Sequence, residues 1–504
     1  MNDLEKNSKY LNKRIKVAQS LYKKELYEDC INYIEVTASF AWLNFSGYYK
    51  LHSLEKILVN IGQTLPSFKS EFYKETKAYK NVLHICSTIR FAGGHSKLLF
   101  NWIKTDKENK HTIITTRLDI ETLKNIAASY TKDSGIDFIS LKETSKLNKA
   151  SELKKILEKF KYDYIVLHTD PNDVIPTLVF SDNNIKTPIL FLNHADHTFW
   201  FGSLITDILL QIRESNIELD KERRNIPNQA ILPIPIKPNG FLKDYNRRDE
   251  ERKQIKILST GSLFKYTPTE EYNFYEEIFS LAKKYPQILI YIVGVKADSK
   301  YALKYRHENI KYLGVLKPDE LNEIENQADI FLEGFPLPSF TALLQVSLKK
   351  IPFVLHYKPL TSMMLFKENQ KHGISYPKTK NDWQKEVNHL IDDYNYRIQI
   401  AEKQYQYIHS LYSEDAWLTL LKNVYKKADS TSHSLNSFTG DVFYNSKNEQ
   451  ILTKVDNWTI SHFDHTHKLG FFDKLQIMCS VYPKNKNVKY YLSKKQVLQY
   501  ILKG

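Results

Sequence analysis

The densest group of titratable side chains in this chain is His194, Asp196 and His197, set just after the apolar run TPILFL. An imidazole in such a place can take a proton from a hydroxyl or hydrogen-bond a sugar, and a neighbouring carboxylate raises its basicity. The same residues also admit a cation site, although further ligands are lacking nearby, or packing with the aromatic run Phe199-Trp200-Phe201. His95, in the string GGHS, is a second candidate base. Gly93 and Gly94 follow the apolar run VLHICS and precede a helical pattern, which suits a tight turn or a backbone that approaches a ligand closely.

A different chemistry is written between Ile255 and Pro359. IKILSTGSLFKYTP is a β-branched run that breaks into a small-residue turn with a lone basic side chain, Lys265. ADIFLEGFPLPSFTALLQVSLKKIPFVLHY gives a buried-type strand, then Glu333, then a turn with Ser339 and Thr341 that opens a helix. Lys265 suits a diphosphate, Glu333 a ribose diol, and Ser339 and Thr341 either a phosphate or a helix cap. Lys265 also reads as a surface lysine, and Glu333 as a helix-cap partner. Two strand-to-helix turns on one parallel sheet aim loop amides and helix N-termini along a single edge, where a pyrophosphate is met by N–H groups and positive dipole ends.

These residues need elements to position them. Residues 1–80 carry helix-period apolar positions such as Ile15, Leu21, Ile31, Ile34, Leu54 and Leu58, which predicts a helical N-terminal region. Residues 81–236 alternate short apolar strands with segments long enough for crossover helices, which predicts one doubly wound Rossmann-like α/β domain. Residues 237–254, rich in charge, read as a linker, residues 255–428 as a second doubly wound domain, and 429–504 as a C-terminal extension.

With 504 residues the chain is too long for one core, and 42% hydrophobic with 26% charged residues is an ordinary globular composition. Its apolar runs are of strand length, far below the ~18 residues of a membrane span. The polar, helical start without the apolar core of a signal peptide leads us to expect a cytoplasmic protein. Cys30, Cys86 and Cys479 are too far apart for a disulfide scaffold or a zinc ribbon. The net charge of +14 is spread rather than packed into one recognition helix. It therefore points to a solvated lysine-rich surface, or to attraction by an anionic membrane face or acidic glycan, and not to nucleic acid.

Two α/β domains with donor signals in the second resemble the GT-B glycosyltransferases. HICSTIRFAGGHSKLLFNWI resembles the strand, glycine-rich loop and helix with which many bacterial surface-polysaccharide glycosyltransferases begin, and LNHADHTFWFGSLITDILLQIRES with ILPIPI resembles their interdomain face. STGSLFKYTP resembles the turn that carries the donor-phosphate lysine. GVLKPDELNEIENQADIFLEGFP, with Leu316 near its start, resembles the stretch whose loop backbone receives the nucleoside base and whose acidic residue receives the ribose. Retaining family 4 enzymes carry a second Glu where this chain has Thr341. The longer hydroxyl-bearing turn is similar to that of the O-GlcNAc transferases and adhesin N-glucosyltransferases.

The resemblance implies a metal-independent transferase that moves a sugar from a nucleotide-sugar, a UDP-sugar by preference, to a surface polysaccharide or glycoconjugate. The nucleotide-sugar is a substrate, and no cofactor is implied. In this reading His194, Asp196, His197 and His95 are catalytic candidates. Gly93, Gly94, Lys265, Leu316, Glu333, Ser339 and Thr341 are donor-binding candidates. The implied partners are the nucleotide-sugar, a glycan or glycoprotein acceptor, and peripherally the inner face of the cell membrane. The alternatives are a protein N- or O-glycosyltransferase and a non-catalytic GT-B subunit that activates a partner.

Overall fold

The fold comes from a computed structural model that describes residues 3–69, 78–91, 94–131, 135–236, 242–243, 254–445, 466, 469–481, 498–500 and 502. Gly93, most of the 237–254 segment and much of the C-terminal extension lie outside the described residues. The chain divides into two compact units. Unit 1 comprises residues 1–212, 216–232 and 422–504, and unit 2 comprises residues 213–215 and 233–421.

Unit 1 opens with α1 (Asp3–Lys23), α2 (Tyr27–Leu43) and α3 (His52–Gly62). There follow β1 (Asn81–Cys86), α4 (Gly94–Thr105), β2 (Lys110–Thr115), α5 (Ile120–Tyr130), β3 (Ile136–Ser140) and α6 (Lys146–Lys159). The unit continues with β4 (Tyr164–His168), α7 (Ile175–Val179), β5 (Ile189–Asn193), β6 (Ile208–Gln211), α8 (Asn216–Arg224) and β7 (Gln229–Ile231). The seven strands pair in parallel in the order β3-β2-β1-β4-β5-β6-β7. Strands β1, β4 and β5 are buried along nearly their whole length, as expected where helices cover both faces of a parallel sheet. Asp119 and Ser145 accept from the Thr122 and Asn148 amides and so start α5 and α6 as N-caps.

The periodic apolar residues of α1–α3 do not form a core of their own. Leu11, Ile34 and Leu58 belong to one continuous apolar cluster with Ile85, Ile165 and Leu167 of the sheet. Residues 433–444 run along this same unit. His433 bonds Asp207 at 2.9 Å, Asn436 donates to the Ser203 and Thr206 carbonyls, and the Tyr444 amide reaches the Gly47 carbonyl at 2.7 Å.

Unit 2 holds β8 (Ile255–Thr260), α9 (Phe274–Lys284), β9 (Ile288–Val293), α10 (Lys300–Lys304), β10 (Ile310–Gly314), α11 (Pro318–Gln327), β11 (Ile330–Leu332), α12 (Phe340–Ser347) and β12 (Phe353–Val354). It continues with α13 (Lys380–Asp392) and α14 (Tyr394–Tyr412), and the chain leaves it within α15 (Glu414–Asp429). Its five parallel strands run in the order β10-β9-β8-β11-β12. The expected pair of doubly wound parallel sheets is thus present. Strand order reverses between β1 and β4 in one sheet and between β8 and β11 in the other, and open α/β sheets bind ligands at the carboxyl ends beside such reversals. No helix among the described residues is long and apolar enough to cross a membrane.

Gly294, just past β9, shows what shapes the turn after β8. Its φ is +92°, and a Cβ there would stand 2.3 Å from the Gly261 carbonyl oxygen. Gly294→Ala should therefore cost at least about 1–3 kcal/mol of stability through the left-handed backbone and the backbone clash. An unchanged urea midpoint in this variant would show that the turn has room to give.

Candidate functional site

At the carboxyl edge of the second sheet, β8 leads through Gly261 and Ser262 into a 3-10 turn, Leu263–Tyr266, that carries Lys265. The Lys265 ammonium donates to the Pro338 carbonyl at 2.8 Å and to the Ser339 hydroxyl at 3.3 Å, and the Leu337 amide donates back to the Lys265 carbonyl at 3.1 Å. The loops after β8 and β11 are thereby tied together. They also share a wall, because a Cβ on Gly334 would stand 2.3 Å from the buried ring of Tyr266, whose hydroxyl bonds Ser259 at 3.0 Å. Burial pulls the Lys265 ammonium below its ordinary range, and the charge of Glu333 works against that shift.

Glu333 follows β11 directly and is buried; its carboxyl accepts the His356 amide at 2.6 Å. Burial pushes its pKa up to about 8, against the His356 bond and the charges of Lys265 and Arg213. His356, two residues past β12, stacks on Phe335 at 4.7 Å, and burial holds it neutral, with a pKa of about 3. Ser339 is buried at the N-cap of α12 but makes no capping bond, its hydroxyl serving Lys265 instead. Thr341 is exposed in the first turn of α12. Leu316 packs its side chain against the core that contains Leu258 and Phe331, while the preceding Val315 is exposed. The structure thus gathers Lys265, Glu333 and Ser339 at the reversal of strand order, with Thr341 on the helix that begins there.

At the corresponding edge of unit 1, His95 lies in the first turn of α4 and His194 one residue past β5. Their rings stack with centroids 4.3 Å apart at 27°. His194 directs Nδ1 at the Leu192 carbonyl, 3.3 Å away, and burial lowers its pKa to about 4. Gly94 begins α4 and is exposed. The charge of Asp196 works against the burial of His194 and raises the His194 pKa. The Asp196 carboxylate accepts from Asn216 at 2.6 Å, and the half-exposed ring of His197 stands 3.5 Å from it. Trp200 is covered by Phe191, stacked at 4.2 Å, and by the Arg224 guanidinium, also at 4.2 Å.

The loop that carries these residues is fastened by Arg224, which is fully buried. It donates to the Asp196 and Thr198 carbonyls, to the Tyr49 carbonyl, and to Asp220 at 2.9 Å. Three buried histidines that the motifs did not single out, His84, His111 and His168, lie in neighbouring strands, and His168 adjoins His95. The available signal was an imidazole inside each of the runs VLHICS, KHTIIT and YIVLH, since a ring buried in a parallel strand must find a hydrogen-bond partner. Among the described residues no group of three or more His, Cys, Asp or Glu side chains could hold a metal ion.

No protein-family model matches this sequence, and a search of curated proteins finds no match. Solved structures do resemble it. A mutant of the O-GlcNAc transferase of Thermobaculum terrenum is similar with a TM-score of 0.51 at 12% identity, over 84% of this chain and 82% of that one. HepE of Anabaena in complex with UDP gives 0.51 at 12% identity, over 69% of this chain and 100% of that one. A glycosyltransferase from Rickettsia africae ESF-5 gives 0.50 at 12% identity, over 70% and 100%. At such identity the likeness is one of fold. With its parallel sheets of seven and five strands, the chain has the α/β architecture of the GT-B class.

Glu333 yields a pH test. Its pKa is raised from 4.5 to about 8 in the folded protein, so its favourable contribution is complete below about pH 4.5 and is lost as pH rises through about 8. Glu333→Gln keeps an oxygen for the His356 amide and has nothing to ionise. The ligand-free variant should match the wild type near pH 4.5 and exceed it at pH 8.5 by on the order of a few kcal/mol, read from urea midpoints across pH. Parallel pH profiles would show that Glu333 titrates normally.

Proposed function

We propose that the protein is a glycosyltransferase and that unit 2 binds its nucleotide-sugar, a UDP-sugar. The observation that carries the reading is the joining of Lys265, Ser339 and Glu333 where strand order reverses between β8 and β11. A diphosphate at the start of α12 would meet the helix's positive end, the ammonium of Lys265 and the hydroxyls of Ser339 and Thr341. The ribose diol would meet Glu333, and the base the loop around Leu316. As the bond from the anomeric carbon to the diphosphate oxygen breaks, Lys265 and the helix amides balance the charge that grows on the leaving group. No metal is required for that role.

In unit 1, His95 and His194 are suited to hold a sugar hydroxyl in place, because burial keeps both rings neutral and able to accept a hydrogen bond. Asp196 raises the basicity of His194 through its charge, and His197 stands beside Asp196. The solved structure of HepE with UDP supports the donor assignment, and the spread net charge of +14 supports a glycoconjugate acceptor at an anionic membrane face. A second reading, transfer to a protein side chain, is favoured by the hydroxyl-bearing turn at Ser339 and Thr341 and by the long span of likeness to the O-GlcNAc transferase.

The donor assignment is tested by Lys265→Ala in a buffer that contains EDTA. UDP affinity and turnover of UDP-glucose or UDP-N-acetylglucosamine should both fall, by roughly 2–3 kcal/mol, the scale of a lost charge-assisted contact, with the fold intact. Unchanged UDP affinity in calorimetry would remove Lys265 from the site. Wild-type turnover abolished by EDTA would overturn the metal-free scheme.

A further inference from the structure

Three strands of unit 1 contribute histidines that hydrogen-bond in series. His111 Nε2 lies 2.9 Å from the Asp106 main-chain oxygen, His111 Nδ1 lies 2.9 Å from His84 Nε2, and His84 Nδ1 lies 2.9 Å from His168 Nε2. All three rings are buried, and Trp102 meets His84 edge to face at 5.4 Å. The series begins in the loop before β2 and ends at the last residue of β4, beside the reversal of strand order.

The direction of this series follows from its anchor. A carbonyl oxygen only accepts, so His111 carries its proton on Nε2, and in a neutral ring Nδ1 is then bare. That bare nitrogen accepts from His84 Nε2–H. By the same step His84 Nδ1 accepts from His168 Nε2–H, which leaves His168 Nδ1 without a proton. Burial holds His84 and His168 far below the ordinary imidazole range, so neither is doubly protonated near neutral pH. This polarity holds with His111 neutral, and the Asp106 carboxylate, 3.6 Å from His111 Nε2, is the neighbouring charge that favours a second proton there. His168 Nδ1 is buried and has no partner among the described residues.

His95 repeats the pattern. A ring N–H donates to the backbone of His168, and its Nε2 is likewise buried and without a partner among the described residues. Two neighbouring rings, with centroids 6.1 Å apart, thus each hold a buried accepting nitrogen without a partner among the described residues. Leaving such groups unsatisfied is costly, and a ligand that brings a donor removes the cost.

The geometry points to a subsite at His95 and His168 that only accepts hydrogen bonds, fixed in polarity by His84 and His111, and suited to a hydroxyl of a polyol ligand. The identity of that ligand as a sugar rests on the glycosyltransferase reading; the fixed polarity does not. His84 and His111 are positioning residues that act through His168.

The test uses the full chain with 15N-labelled histidine. NMR at neutral pH should show Nε2 protonated and Nδ1 bare in His111, His84 and His168, and Nε2 bare in His95. A proton on Nδ1 of His168 would overturn the proposal. A second arm compares His84→Gln with His84→Leu. The glutamine amide can donate to His111 and its oxygen can accept from His168, so polarity is kept, whereas leucine removes both bonds. Turnover of UDP-glucose or UDP-N-acetylglucosamine should stay within about 3-fold of wild type for Gln and fall roughly 10-fold or more for Leu, with UDP affinity unchanged in both. Equal turnover in the two variants, whether kept or lost, would contradict a positioning role. If the wild type turns over no donor the enzymatic reading fails, and if the leucine variant does not fold its arm is void; in either case the labelled nitrogens still decide the polarity.

Discussion

Every strand in both sheets runs parallel to its neighbours, and that constraint decides where polar chemistry can sit. A parallel sheet wrapped by helices has two apolar faces, so polar side chains that must meet a ligand are confined to the strand ends and the loops beyond them. The carboxyl ends carry the N-termini of the following helices, and the order of strands parts there at one place in each sheet. Lys265 and Glu333 flank that place in unit 2, and His95 and His168 flank it in unit 1. The same argument accounts for the short tethers between loops. Lys265 reaches Pro338 and Ser339 because β8 and β11, far apart in sequence, are neighbours in the sheet.

The groups gathered at these ends are mostly neutral. Burial raises Glu333 to about 8, lowers His356 and His168 to about 3, and lowers His194 to about 4. In a low-dielectric pocket a neutral acid or imidazole avoids the solvation cost of an ion yet still offers a directed hydrogen bond. An arriving ligand changes that balance. A diphosphate next to Lys265 would favour the ammonium, and a ribose diol would offer hydrogen-bond donors to the Glu333 carboxyl. In unit 1 a hydroxyl would bring a donor to the buried, unpartnered nitrogens of His95 and His168. Each set would be completed by such a ligand, which is how pre-organised polar sites gain affinity without first breaking internal ion pairs.

Much of this was legible in the residues. The apolar runs of β1, β4, β5 and β8 name themselves as buried strands, and a lone lysine or glutamate directly after such a run is placed at a sheet edge by that fact alone. The stack of His95 on His194 was not legible, because the partners come from loops after different strands and meet only once the strand order is known. The series from His111 to His168 depends on register across three strands, a quantity that no single segment encodes. Asp196 reads in the sequence as the orienting partner of His194; its charge opposes the burial that lowers the His194 pKa, while its carboxylate also accepts from Asn216 and its loop is gripped by Arg224. For α1–α3 periodicity showed one buried face without saying what it packs on, and the answer is the first sheet.

The central claim is that the carboxyl edge of the second sheet receives a nucleoside diphosphate. Hydrogen–deuterium exchange on the full chain with and without UDP addresses it directly, since bound phosphate and base protect the amides they touch and damp the loops that carry them. The account predicts slower exchange across residues 259–266 and 333–341 when UDP is present, with the core strands of the first sheet unchanged. Saturating UDP that leaves both segments exchanging at their original rates, or that protects only unit 1, would contradict it.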